Sequence, residues 1–149
     1  MTFTEETAVF LGGKEVRARY FGRGHTNGDA VVFFPALRTI HMGDLMAGSS
    51  PLIDYGAGGS LKEWTGTLDG VLKNDFDTVI PGHGPVGKKA DLVAYRAAVE
   101  KLRTRISGMV RGGSSKDDVQ KVLMAEFGWT ADGLPMQRGL DGLMVELRN

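Results

Sequence analysis

The chain has 149 residues, with 18 Lys+Arg balanced by 18 Asp+Glu and no cysteine. That length suits one domain with its own core. The balanced charge gives no electrostatic footprint for nucleic acid or an anionic membrane, and the missing cysteines exclude disulfides and thiolate-zinc sites. The longest apolar run, Ala30 to Leu37 around Pro35, is far too short to cross a bilayer. The opening MTFTEETAVF lacks the basic and apolar regions of a secretory signal, so the chain as it stands is expected in the cytoplasm. The 22 glycines cluster between apolar runs and mark tight turns.

In chain order, a single domain is expected, β-rich over 7–44 and mixed to helical over 58–147. TAVFL (Thr7–Leu11) meets Gly12-Gly13, a hairpin signal, and then KEVRARYF (Lys14–Phe21). Val16, Ala18 and Tyr20 alternate with Arg17 and Arg19, the pattern of a half-buried strand. DAVVFF (Asp29–Phe34) and RTIHM (Arg38–Met42) follow, separated by a turn at Pro35-Ala36-Leu37, and DTVI (Asp77–Ile80) ends at Pro81-Gly82. Ser60 with Glu63 forms a capping-box signature before a helix carrying Leu61, Trp64, Leu68, Val71 and Leu72 on one face. A second helix places Tyr95, Val99, Leu102, Ile106 and Met109 at threes and fours and stops at Gly112-Gly113. A third begins at Ser114 or Ser115 and buries Val119, Val122, Leu123 and Phe127. PMQRGLDGLMVEL reads as a last helix, weakened by Gly139 and Gly142.

If Asp29–Phe34 and Arg38–Met42 pair about Pro35, the residues near Gly28 and Gly43 lie at the same open end of the hairpin. His25 and Asp44 then hang at one rim, by antiparallel register alone. His83, in IPGHGP, follows the strand Asp77–Ile80, and its flanking prolines and glycines fix that loop tightly. Three zinc-ligand side-chain types thus emerge from three strand-end loops. Singly, each has a plainer reading as a loop or turn residue; their joint placement makes them candidates.

Taken together, GRGHTNGDAVVFFP, HMGDL, GGSLKEWTGTLDGVL and DFDTVIPGHGPV resemble the C-terminal half of the metallo-β-lactamase superfamily, from about Thr7 to Asp91. The resemblance implies an α/β fold: half of an αββα sandwich, one mostly antiparallel sheet with helices on one face. By motif, His25 resembles the histidine that completes the first zinc's three-histidine set. Asp44 resembles the bridging aspartate of dinuclear members, and His83 the late histidine on the second zinc. Zinc is the implied cofactor. In the family it brings bound water towards a pKa of about 7 and holds hydroxide against a carbonyl or phosphoryl centre.

The departure from the family pattern is equally informative. The family's other half carries HxHxDH, and this chain has only His25, His41 and His83. The expectation is therefore a half-domain with a partial metal site of His25, Asp44 and His83, in which zinc is weakly held or dimer-dependent. A half-sandwich also exposes one sheet face, with Val31 and Phe33 or Val32 and Phe34 pointing into it, and a homodimer would cover that face.

Other residues take plainer readings. His41 alternates within a strand, and Asp29 and Thr26 either brace the His25 loop or start a strand. Asp54 either lines the site mouth or, more simply, is a solvated loop residue, Trp64 is core, and Arg96, Lys101, Arg103 and Arg105 form a solvated helix face. Gly56, Gly58 and Gly59 read as a tight turn. Some family β-lactamases place a substrate-binding lysine three residues after the Asp44 position, where this chain has Ala47. A small-molecule substrate fits the resemblance, but glyoxalase II-like thioesterases, lactonases and nucleases share the frame. Two functions stand: a metal-dependent hydrolase completed by a second copy or partner, and a non-catalytic module that keeps the fold without the reaction.

Overall fold

A computed structural model describes residues 2–48 and 50–148. Its centre is one six-stranded sheet in the order β1 (Glu6–Leu11), β2 (Lys14–Tyr20), β3 (Ala30–Phe34), β4 (Thr39–His41), β5 (Thr78–Ile80), β6 (Gly87–Lys88). All neighbours are antiparallel except β4 and β5. That parallel step is bridged by α1 (Leu61–Leu72), as a crossover between parallel strands requires. Helices α2 (Lys89–Arg111), α3 (Lys116–Phe127) and α4 (Leu134–Glu146) complete the chain. β6, only two residues long, has no periodicity to announce it.

The turns obey local chemistry. Gly12 and Gly13 have φ of +56° and +74°, as a two-residue turn matching the twist of the β1–β2 hairpin requires. Pro35–Leu37 is one turn of 3-10 helix rather than a bare reversal. Ser60 Oγ accepts from Glu63 N at 3.1 Å, but the reciprocal half of the capping box is absent: Glu63 pairs with Arg23, and Ser60 N donates to Gly24 O. Ser115, not Ser114, caps α3.

Register sorts the strand residues onto two faces. Val31, Ile40 and Val79 lie on the helix side and are fully buried with Trp64, Leu68, Leu92, Val99 and Leu102. The opposite face carries Val32 and Phe34, with Val16, Ala18 and Tyr20 across from them or beside them. The apolar side of the β1–β2 hairpin therefore faces away from the helices. Val9, opposite Val16, is 54% exposed and Leu11 is 81% exposed. The helix side of the same hairpin holds Arg17 and Arg19, ion-paired with Glu6, Arg17 also with Glu15.

The basic face of α2 is paired as well as solvated. Arg96 meets Asp69, Arg103 meets Glu100, Arg105 meets Glu126, and the Lys101 ammonium lies over the Phe127 ring. No helix among the described residues is long and apolar enough to cross a membrane.

Candidate metal centre

His25, Asp44 and His83 come from three separate loops and meet at one rim of the sheet. Asp44 sits between the histidines. His25 Nε2 is 3.6 Å from Asp44 Oδ2, and His83 Nε2 is 3.5 Å from Asp44 Oδ1. The side chains are 12% exposed for His25, 34% for Asp44 and 76% for His83, so the site opens from a buried corner to solvent.

Each side chain is positioned by its own local device. The hairpin pairs Val32 with His41, so Ala30, not Gly28, falls level with Gly43, yet both loops still leave the same end. The His25 loop is braced by Asp29, whose carboxylate accepts from Thr26 N and Thr26 Oγ1, both at 2.8 Å. The carbonyl of His25 accepts from Asp54 N at 2.9 Å. Its Nδ1 lies 2.7 Å from Leu52 O. A carbonyl can only accept, so Nδ1 carries a proton and Nε2 is the ring nitrogen turned to Asp44, with its lone pair there whenever the ring is neutral.

Asp44 stands in a 3-10 turn, Gly43–Met46, entered through Gly43 at φ +51°. Buried Trp64 donates from Nε1 to Leu45 O at 3.2 Å and anchors the residue beside Asp44. Trp64 is thus core, and also a tether for this loop. Gly82 N donates to Gly43 O at 2.8 Å and lies near Met46 O at 3.0 Å, while Gly48 N donates to His83 O at 2.8 Å. These bonds lace the Asp44 and His83 loops together. A Cβ on Gly82 would fall 2.4 Å from Asp44 Oδ1, so only glycine permits that approach.

His41 is outside this cluster; its Nδ1 accepts from Gly43 N at 3.1 Å. The Asp54 carboxylate accepts from Ala57 N and Arg138. Gly58, at φ +78°, closes the tight turn expected there. The bracing carbonyl of Leu52 and the link to Arg138 left no mark in the sequence, since one is backbone and the other joins residues 84 apart.

Among the described residues, no three His, Cys, Asp or Glu side chains are gathered so that they could hold one metal ion. The donors come as two pairs, one on each Asp44 oxygen. Next to His83 lies an open groove of about 490 Å³, lined by Met46, Pro81, Pro85, Val86 and Asp91.

The family model for the metallo-beta-lactamase superfamily matches residues 2–83, more than half of the chain. The chain belongs to the metallo-beta-lactamase superfamily. Metallo-beta-lactamase type 2 from Bacillus cereus is 32% identical over 90 residues, covering 58% of this chain and 35% of the relative. The same enzyme type from Bacillus sp. (strain 170) is 30% identical over the same shares. The chain thus spans about a third of the length of these curated relatives. Among solved structures, a metallo-beta-lactamase from Pontibacter korlensis superposes with a TM-score of 0.59 at 24% identity, over 66% of this chain and 47% of that one. DIM-1 metallo-beta-lactamase gives 0.57 at 25% identity, over 66% and 46%. The fold is therefore a metallo-beta-lactamase fold, hydrolase-like in lineage.

Proposed function

We propose that this chain contributes part of a zinc hydrolase centre, with His25, Asp44 and His83 as metal ligands, and that a second polypeptide completes it. The observation that carries the reading is Asp44, with one carboxylate oxygen facing each histidine Nε2. Charge-assisted N–H···O contacts run at about 2.7–2.9 Å, shorter than either gap. Two ligand atoms about 2.0–2.1 Å from one tetrahedral ion stand roughly 3.3–3.4 Å apart, close to both. The spacing suits an ion between each pair better than a direct hydrogen bond.

The donor set fits only part of such a centre. A catalytic zinc keeps three protein ligands and one open position, and each ion here would have one histidine and a shared carboxylate. The remaining ligands must come from elsewhere, since the only other histidine, His41, is turned to Gly43 N.

A second copy is the simplest source. The open sheet face carries Val9, Leu11, Val16, Val32 and Phe34, an apolar surface that favours burial. A two-fold contact there would cover that face, and an axis passing near the start of β3 would set two rims side by side. The groove beside His83 would then take the apolar part of a small substrate. The absence of any three-ligand group among the described residues favours a second reading, a non-catalytic module that keeps the fold without metal chemistry.

Size-exclusion chromatography with light scattering, joined to metal analysis after zinc loading, separates the two. The expected result is a dimer that retains zinc and loses it in His25→Ala and His83→Ala. A monomer without zinc refutes the hydrolase reading and leaves the module.

A further inference from the structure

Helix α4 lies beyond the residues matched to the family, 2–83, yet it grips the loop that holds His25. Arg138 Nη1 donates to Asp54 Oδ2 at 2.6 Å. Twelve-residue α1 begins just past that loop, and the Glu146 carboxylate accepts from Ser60 Oγ, Leu61 N and Lys62 N there, and from the Tyr55 hydroxyl. Gly139 and Gly142 let the α4 backbone come down on this segment. A Cβ on Gly139 would lie 3.0 Å from the Trp129 ring and 3.8 Å from Ile53 O, and one on Gly142 would overlap the Tyr55 ring at 2.1 Å. The two glycines that weaken the helix in isolation are what allow it to dock.

The other side of the same loop holds His25. Asp54 N donates to His25 O at 2.9 Å, and Leu52 O accepts from His25 Nδ1 at 2.7 Å. One short segment, Leu52 to Asp54, therefore lies between the Arg138 guanidinium and the His25 ring. Among the described residues beside it, the regular structure is the 3-10 turn Tyr55–Ala57, so its own backbone does little to fix the Leu52 carbonyl.

We propose that Arg138 on α4 is a positioning residue for His25: by pinning Asp54 it holds the Leu52 carbonyl on Nδ1–H and keeps the Nε2 lone pair aimed at Asp44. What this does for chemistry rests on the reading of His25 as a metal ligand. The tautomer lock itself does not.

The test is nitrogen-resolved NMR of the histidine rings in the full metal-free chain, above the histidine titration range. His25 should be the Nδ1–H tautomer, with that proton slow to exchange. Arg138→Ala should shift the His25 tautomer ratio about five-fold towards Nε2–H, the effect of losing one hydrogen bond of ordinary net strength, and leave His83 unchanged. Arg138→Lys should recover most of the lock. Asp54→Asn, which keeps the side chain's shape, should shift the ratio the same way and serves if Arg138→Ala does not fold. An Nε2–H tautomer in the unaltered chain overturns the inference, as does an unchanged ratio in folded Arg138→Ala or Asp54→Asn. A locked tautomer in a chain that binds no zinc sinks the ligand reading alone.

Discussion

Glu146→Ala should be among the most damaging single substitutions in the molecule, although the residue stands at the end of the last helix. Its carboxylate accepts from Tyr55 Oη at 2.7 Å, Ser60 Oγ at 2.5 Å, Leu61 N at 3.1 Å and Lys62 N at 3.3 Å. Two of these are first-turn amides of α1, which have no partner within their own helix. A negative charge at that end is also favoured by the helix dipole. A hydrogen bond to a charged group contributes about 1.5–3 kcal/mol. The four share one carboxylate and water can reach Lys62, so they do not add. The loss should be about 2–4 kcal/mol, with Tm lowered by about 6–12 °C for a chain of this size. Glu146→Gln, which keeps one acceptor and loses the charge, should fall between. Urea and thermal unfolding give both values. A Glu146→Ala loss within about 0.5 kcal/mol, the range of an unremarkable surface change, would show that α4 does not cap α1 and that its docking is held by something else.

Gly142→Ala should destabilise by about 1–3 kcal/mol through overlap with the Tyr55 ring, even though alanine is the better helix former. Gly66→Ala, at an exposed position of α1 with nothing within 4 Å of the new Cβ, should instead stabilise by up to about 1 kcal/mol, and paired unfolding curves compare the two. Burial, reinforced at Tyr55 by the Glu146 carboxylate, pushes the Tyr55 and Tyr95 phenols well above their usual range. A folded pKa raised above the unfolded value gives stability that is complete below about pH 10 and declines as pH rises past it. Phenolate absorbance should show both rings ionising only with unfolding, and early titration of either would contradict its burial. Val31→Ala, in the packed core, should lower stability by about 2 kcal/mol. Val32→Glu, on the open face, should leave the fold intact but abolish the proposed dimer, with light scattering as the measurement; a dimer that persists would place the contact elsewhere.

Local signals were readable wherever chemistry between near neighbours decides the outcome. The glycine pair fixes the first hairpin, Ser60 and Ser115 cap their helices, and the short link Pro35–Arg38 forces β3 and β4 into antiparallel contact. From that register alone His25 and Asp44 fall at one end, and the histidine flanked by glycines joins them. What periodicity could not settle was direction. Val16, Ala18 and Tyr20 are a clear apolar stripe, but only the assembled sheet shows that it faces away from the helices. β6 was too short to carry a pattern, and Glu63 was claimed by Arg23 rather than by its own helix end.

By itself, then, the sequence determined where the main strands and helices lie, which loop side chains are of metal-ligand type, and that the chain resembles the metallo-beta-lactamase superfamily. The first two follow from residue types and their spacing over short stretches, and the third from the resemblance of its motifs. The tertiary structure alone decided that Asp44 offers one oxygen to each histidine, that a Leu52 carbonyl sets the His25 proton, and that Arg138 and Glu146 reach back more than eighty residues to hold the loop and cap α1. The physical reason is that backbone carbonyls look alike in every sequence, and a carboxylate's partner is chosen by packing rather than by proximity along the chain.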